Sequence, residues 1–105
     1  MAFEVLTTLR ADRDSAGAEA FVSSLGRQAL SRWRTRMFRV VEILELDPHR
    51  YPAADESSHL QIDLRQASTA HRKHPYRILF TIQSDTVTIH RVLHAAQDYL
   101  NAADL

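Results

Sequence analysis

The sequence predicts an α+β fold: a small antiparallel-rich twisted sheet with an N-terminal strand and an α-helical hairpin packed on one face. The expected order is β-α-α-β-β-β with a short C-terminal helix. Three observations lead there. Residues 3–9 alternate in pattern, residues 30–44 repeat apolar side chains at steps of three and four, and the last third holds two alternating runs around Ser84-Asp85. Alternation marks a strand with one buried face, and a 3.6-residue repeat marks an amphipathic helix. Helices gathered early and strands late place the helical pair against one sheet face.

Phe3, Val5, Thr7 and Leu9 form one side of the first strand, with Glu4, Leu6 and Thr8 on the other. Asp12 and Asp14 suit the cap of the next helix, because a carboxylate accepts from the open N–H groups at a helix start. That helix is expected to reach about Leu25, with Ala18, Phe21, Val22 and Leu25 on one face, and Gly26 supplies a left-handed stop. The second helix carries Leu30, Trp33, Met37, Val40, Val41 and Leu44 in one broad stripe. Arg32, Arg36 and Arg39 lie on its opposite face, either as a solvated surface or as a docking face for an acidic partner. The short link between the helices makes them an antiparallel hairpin. Asp47-Pro48 ends the second helix, since proline disfavours helical geometry in the residue before it.

Pro48 to Ser58 reads as a polar loop. Leu60, Ile62 and Leu64 then alternate with Gln61, Asp63 and Arg65 as a strand, and Ala67 to His74 is a polar connection. The strands Tyr76–Gln83 and Thr86–Leu93 follow, and a helix from Ala95 to about Ala103 completes the order.

Length and composition narrow the function. A chain of 105 residues has mass for one domain, residues 1–105, and a single core. No apolar run approaches the roughly 20 residues of a membrane span, and the N-terminus lacks a basic-then-apolar leader. Cysteine is absent, which excludes disulfides and thiolate chemistry and fits a cytoplasmic location. Twelve of the thirteen basic residues are arginine, yet the net charge is zero. Arginine suits carboxylate and phosphate, but the balanced charge speaks against a generic nucleic-acid binder. His71 with His74, and His90 with His94, have cationic neighbours that oppose a metal ion, so no metal or cofactor is expected. Only Gly17 and Gly26 are glycine, so no phosphate-cradling loop exists, and no serine sits in a nucleophile motif.

With Ser84-Asp85 as a two-residue turn, Gln83 pairs with Thr86. Counting back sets Ile82 against Val87, Phe80 against Ile89, Ile78 against Arg91, and Tyr76 against Leu93. The other face then gathers Arg77, His90 and His94, with Arg65 joining from a neighbouring strand. Arginines grip phosphate oxygens and an imidazole moves a proton near neutral pH. Glu56, in the preceding loop, is placed to act as a base. The alternative is that these residues only decorate a solvent-facing sheet. A one-residue slip of register would reverse every assignment.

Taken in order, the N-terminal strand, the helical hairpin, the 52–56 loop, Ile62-Asp63-Leu64-Arg65, Tyr76-Arg77-Ile78-Leu79-Phe80 and Arg91-Val92-Leu93-His94 resemble the RelE/ParE superfamily. These are the toxins of bacterial type II toxin–antitoxin, or plasmid stabilisation, systems. The resemblance implies a twisted sheet backed by two helices, growth arrest, and a cognate antitoxin that wraps the toxin. It points to two mechanisms. RelE-like members cut mRNA, often on the ribosome, and the resemblance then sets Glu56 at the place of a glutamate base, Arg77 at the arginine after the central strand's tyrosine, His94 within about a residue of a catalytic histidine, and Arg65 in a phosphate-gripping role. Tyr99 is a more distant candidate. ParE-like members poison DNA gyrase and need no catalytic set, and the Arg-Val-Leu-His ending followed by Asp98 and Leu100 looks more like that branch. A third reading is a degenerate, non-toxic member that only binds an antitoxin.

Overall fold

The hairpin expected around Ser84-Asp85 forms the centre of the sheet. In the computed structural model, described over residues 2–69, 73–95 and 104–105, β3 (Tyr76–Gln83) and β4 (Thr86–His94) pair antiparallel. Ser84 takes φ +54°, the positive value that a tight hairpin turn needs at its first position. β1 (Glu4–Thr7) runs parallel to β4 on one side, and β2 (Arg65–Ser68) antiparallel to β3 on the other. The strand order is therefore β1-β4-β3-β2, a mixed sheet.

Thr8 turns the chain from β1 into α1 (Leu9–Ser23), its hydroxyl accepting from the Ala11 N–H at 3.1 Å. The expected caps, Asp12 and Asp14, lie inside this helix instead, because the chain leaves β1 two residues before Leu9 would end it. Gly26, at φ +120°, enters α2 (Arg27–Leu46) rather than stopping α1, which has already ended at Ser23. On α2 the periodic stripe is buried as expected at Trp33, Val40 and Leu44. These residues and Ala11, Ala18 and Val22 of α1 close over Ile78, Phe80, Val87, Ile89 and Val92 of the sheet. Trp33 stands edge-on to Tyr76 with ring centres 6.1 Å apart, joining hairpin to sheet.

The segment before β2 departs from expectation. Leu60 ends a short helix, α3 (Glu56–Leu60), and Gln61 at φ +57° turns the chain out of it. Leu60 and Leu64 are four apart and both reach a second, smaller apolar cluster with Ala54, Leu79, Leu93 and Leu105. Ile62 between them is exposed. The alternation was thus a helical turn followed by a bend, and β2 begins only at Arg65. The second cluster covers the sheet face opposite α1 and α2, so that face is not bare. Of the expected C-terminal helix, residues 96–103, with Asp98, Tyr99 and Leu100, lie outside the described residues. No helix among the described residues is long and apolar enough to cross a membrane.

Two substitutions on α2 test this packing. Leu44, fully buried, should cost about 2–5 kcal/mol on truncation to alanine. Phe38, 65% exposed, should change stability by no more than about 0.5 kcal/mol. Urea unfolding of both variants measures the contrast, and equal losses would mean α2 is rotated from this position.

Candidate functional site

Glu56 opens α3, and Arg77 is the second residue of β3. Arg77 points to the face opposite α1 and α2, as strand alternation requires when Tyr76 and Ile78 point toward the helices. There its guanidinium meets the Glu56 carboxylate fork to fork. Nη1 donates to Oε1 at 3.0 Å and Nη2 to Oε2 at 2.8 Å. Nη1 also donates to Gln66 Oε1 of β2 at 3.0 Å. Glu56 is 2% exposed and Arg77 7%. A bidentate pair is the strongest arrangement of these groups, and burial makes it expensive to break from one side. Gln66 was not singled out in the sequence, since nothing marks a lone glutamine as the third member of a buried charge network.

Arg65 sits one residue before Gln66 and therefore on the other face, paired across from Phe80. Its Nη1 donates to the Tyr51 carbonyl at 2.8 Å and the His49 carbonyl at 3.3 Å, with Asp63 at 3.8 Å. It ties down the 3-10 turn Pro48–Arg50 and the residue after it. His94 is paired across from Tyr76 and packs against the rings of Tyr76 (5.3 Å) and His74 (5.9 Å). The expected convergence of Arg65, Arg77, His90 and His94 on one surface is not what the sheet delivers. Arg77 and Glu56 are together; Arg65 and His94 stand on the helix-covered side.

The cause is one residue. β3 has eight residues and β4 nine, and the register shifts between Leu79, opposite Arg91, and Phe80, opposite Ile89. His90 is the extra residue of a β-bulge. Up to Ile89 the expected pairing holds. Beyond it each partner moves by one: Ile78 meets Val92, Arg77 meets Leu93 and Tyr76 meets His94. Val92 and not Arg91 therefore enters the main core.

Along the edge of β4 around the bulge, Thr8 at the start of α1 and Asp14 within it meet the backbone groups. Thr8 N donates to the Ile89 carbonyl at 3.0 Å and Thr8 Oγ1 to the His90 carbonyl at 3.0 Å. Asp14 Oδ2 accepts from Val92 N at 3.0 Å and from Arg91 Nε at 2.6 Å, while Oδ1 accepts from Arg91 Nη2 at 3.1 Å. Arg91 also donates to the Asp104 carbonyl. The hydrogen bonds it donates to Asp14 push the Arg91 pKa up, so this cation stays charged at any ordinary pH. His90 Nε2 lies 2.9 Å from Thr81 Oγ1, and burial holds its imidazole below the usual 6.5.

RNA cleavage through a 2′-hydroxyl needs a base, cations and an acid around one phosphate. Here both oxygens of the candidate base are engaged, and two of its expected companions lie across the sheet. Among the described residues no group of three or more His, Cys, Asp or Glu side chains is arranged to hold a metal ion.

A family model described as "ParE toxin of type II toxin-antitoxin system, parDE" matches residues 5–99. No curated protein matches the chain significantly.

Removing one partner of the buried pair, as in Glu56→Gln or Arg77→Ala, should cost about 3–5 kcal/mol. Replacing both, as in Glu56→Leu with Arg77→Met, should recover most of that loss. A double-mutant cycle by denaturant unfolding reads the coupling, and strictly additive losses would contradict the pairing. His90 gives a second test. The folded protein holds it neutral, so unfolding takes up a proton once the pH falls below the free value of 6.5. This part of the stability is complete above that pH and declines below it. His90→Gln should flatten the decline in thermal unfolding measured from pH 7.5 to 5.5.

Proposed function

The chain belongs to the ParE toxin family of type II toxin–antitoxin systems, and we propose that it arrests growth by binding and poisoning DNA gyrase. On this reading it cuts no RNA, and a cognate antitoxin neutralises it by covering its surface. The observation that supports the reading is the buried fork between Glu56 and Arg77. A general base must present a carboxylate oxygen to the proton it removes. Freeing Glu56 for that task would strand the Arg77 cation inside the protein, and one buried charge without its partner costs several kcal/mol. Arg65 and His94 have work of their own, one holding loop carbonyls and the other packing among rings.

Read this way, the four candidate residues are scaffold. Glu56 and Arg77 lock α3 to β3, Arg65 locks the turn after α2 to the start of β2, and His94 closes the end of β4. A toxin that acts by binding needs only a rigid surface of matching shape and charge, and such locks provide rigidity.

Inducing the protein without a partner in growing cells should stop growth while mRNA stays intact. Cleaved DNA should accumulate, or supercoiling by gyrase should fall. Fragmented mRNA that disappears in a folded Arg77→Lys variant would establish the ribonuclease reading instead. Unimpaired growth at full expression would leave a non-toxic binding module.

A further inference from the structure

β1 is the outermost strand of the sheet and has a strand neighbour, β4, on one side only. The Glu4 and Thr8 N–H groups donate to the Asp85 and Ile89 carbonyls, so by alternation Leu6 also faces β4. Val5 and Thr7 therefore turn their backbone N–H and C=O groups outward, where no partner meets them among the described residues. Edge strands are commonly blunted by lysine, proline or a bulge, and Glu-Val-Leu-Thr carries none of these.

The open stretch is bounded at both ends. The Phe3 N–H is taken by the Glu45 carbonyl of α2 at 2.7 Å, and after Thr8 the chain enters α1. Large apolar side chains stand around it without cover. Leu6 is 46% exposed, Leu9 beyond the Thr7 end 65%, and Leu46 beside the Phe3 end 72%.

We propose that this edge pairs with the same edge of a second copy of the chain, in an antiparallel ladder that continues one sheet into the other across a two-fold axis. The open groups select the register. Val5 opposite Val5 would set Thr7 against Phe3, whose N–H is already engaged, and Thr7 opposite Thr7 would set Val5 against Leu9, which is helical. Val5 opposite the second copy's Thr7 uses every open donor and acceptor of the stretch, and symmetry then places Leu6 opposite Leu6. That pair lies between ladder bonds, where opposed side chains come closest. The same register carries Leu9 of each copy toward the Phe3 end of the other, where Leu46 is exposed, and sets Glu4 opposite Thr8 with no like charges facing. One short surface thus supplies both sides of every contact, which favours a second copy over an unrelated strand. A contact this small makes a weak, concentration-dependent dimer. The inference rests on the edge geometry and not on the gyrase reading.

The chain has no cysteine, so a single introduced thiol reports this geometry. Opposed residues between ladder bonds have Cα atoms about 4.5 Å apart, within reach of a disulfide. Leu6→Cys in the full chain should therefore form a covalent dimer on mild oxidation, and Phe38→Cys, at a more exposed position on α2, should not. Sedimentation of the unaltered chain from about 1 μM to 1 mM should show a reversible monomer–dimer equilibrium. Leu6→Lys, which sets two cations against each other on the axis, should weaken it by roughly tenfold or more while leaving the fold intact. A chain that stays monomeric over that range, a dimer unmoved by folded Leu6→Lys, or Phe38→Cys linking as readily as Leu6→Cys would each overturn the proposal. A monomer that instead takes up an unrelated extended peptide at Val5 and Thr7 would also overturn it, assigning the edge to a foreign strand.

Discussion

The arrangement of side chains across this sheet depends on one extra residue in β4. A strand alternates faces with period two, so a single inserted residue exchanges the faces of everything after it. His90 is that residue. Before it, Val87 and Ile89 pack under the helices; after it, Val92 takes over that role, and Leu93 turns to the second cluster with Leu79. On the side of β4 away from β3, Thr8 and α1 meet the backbone groups around the irregularity. Thr8 answers two carbonyls, and Asp14 answers an amide and a guanidinium. Past the last residue of β1, helix α1 thus serves as the edge partner of β4. That also spares the strand an open edge, which would otherwise invite pairing with another chain.

Much of the architecture was legible before any coordinates. The stripe on α2 is a helix with the expected buried face, and the two-residue turn at Ser84-Asp85 sets the hairpin register for its first four residue pairs down to Phe80 and Ile89. Both rest on strong local signals, a long periodic run and a tight turn. The candidate site was much less legible. A bulge has no local signature here, since His90 fits an alternating strand as well as its neighbours do. The satisfaction of its carbonyls comes from Thr8, 82 positions away along the chain. Leu60, Ile62 and Leu64 misled for a related reason. A four-residue spacing that serves a helical turn also reads as alternation when the segment is short.

Glu56 and Arg77 show how a sequence reading can single out two residues and leave their use open. A glutamate and an arginine in these places suit a base and a phosphate grip, and equally suit each other. Geometry separates the cases. Both carboxylate oxygens face one guanidinium, Gln66 takes a remaining donor, and the pair is nearly sealed from water. A buried ion pair contributes modest net stability, yet removing one partner is costly because the other charge is left buried and unpaired. In this protein it joins α3 and the second apolar cluster to the sheet.

The central claim is that this pair shapes the toxin and takes no part in bond breaking. The direct measurement is growth arrest on induction of the Glu56→Leu, Arg77→Met double variant, with folding and expression matched to the parent. The account predicts arrest as strong as the parent's, since the apolar replacement keeps the scaffold. A folded double variant that no longer arrests growth, in cells where the parent fragments mRNA, would contradict it.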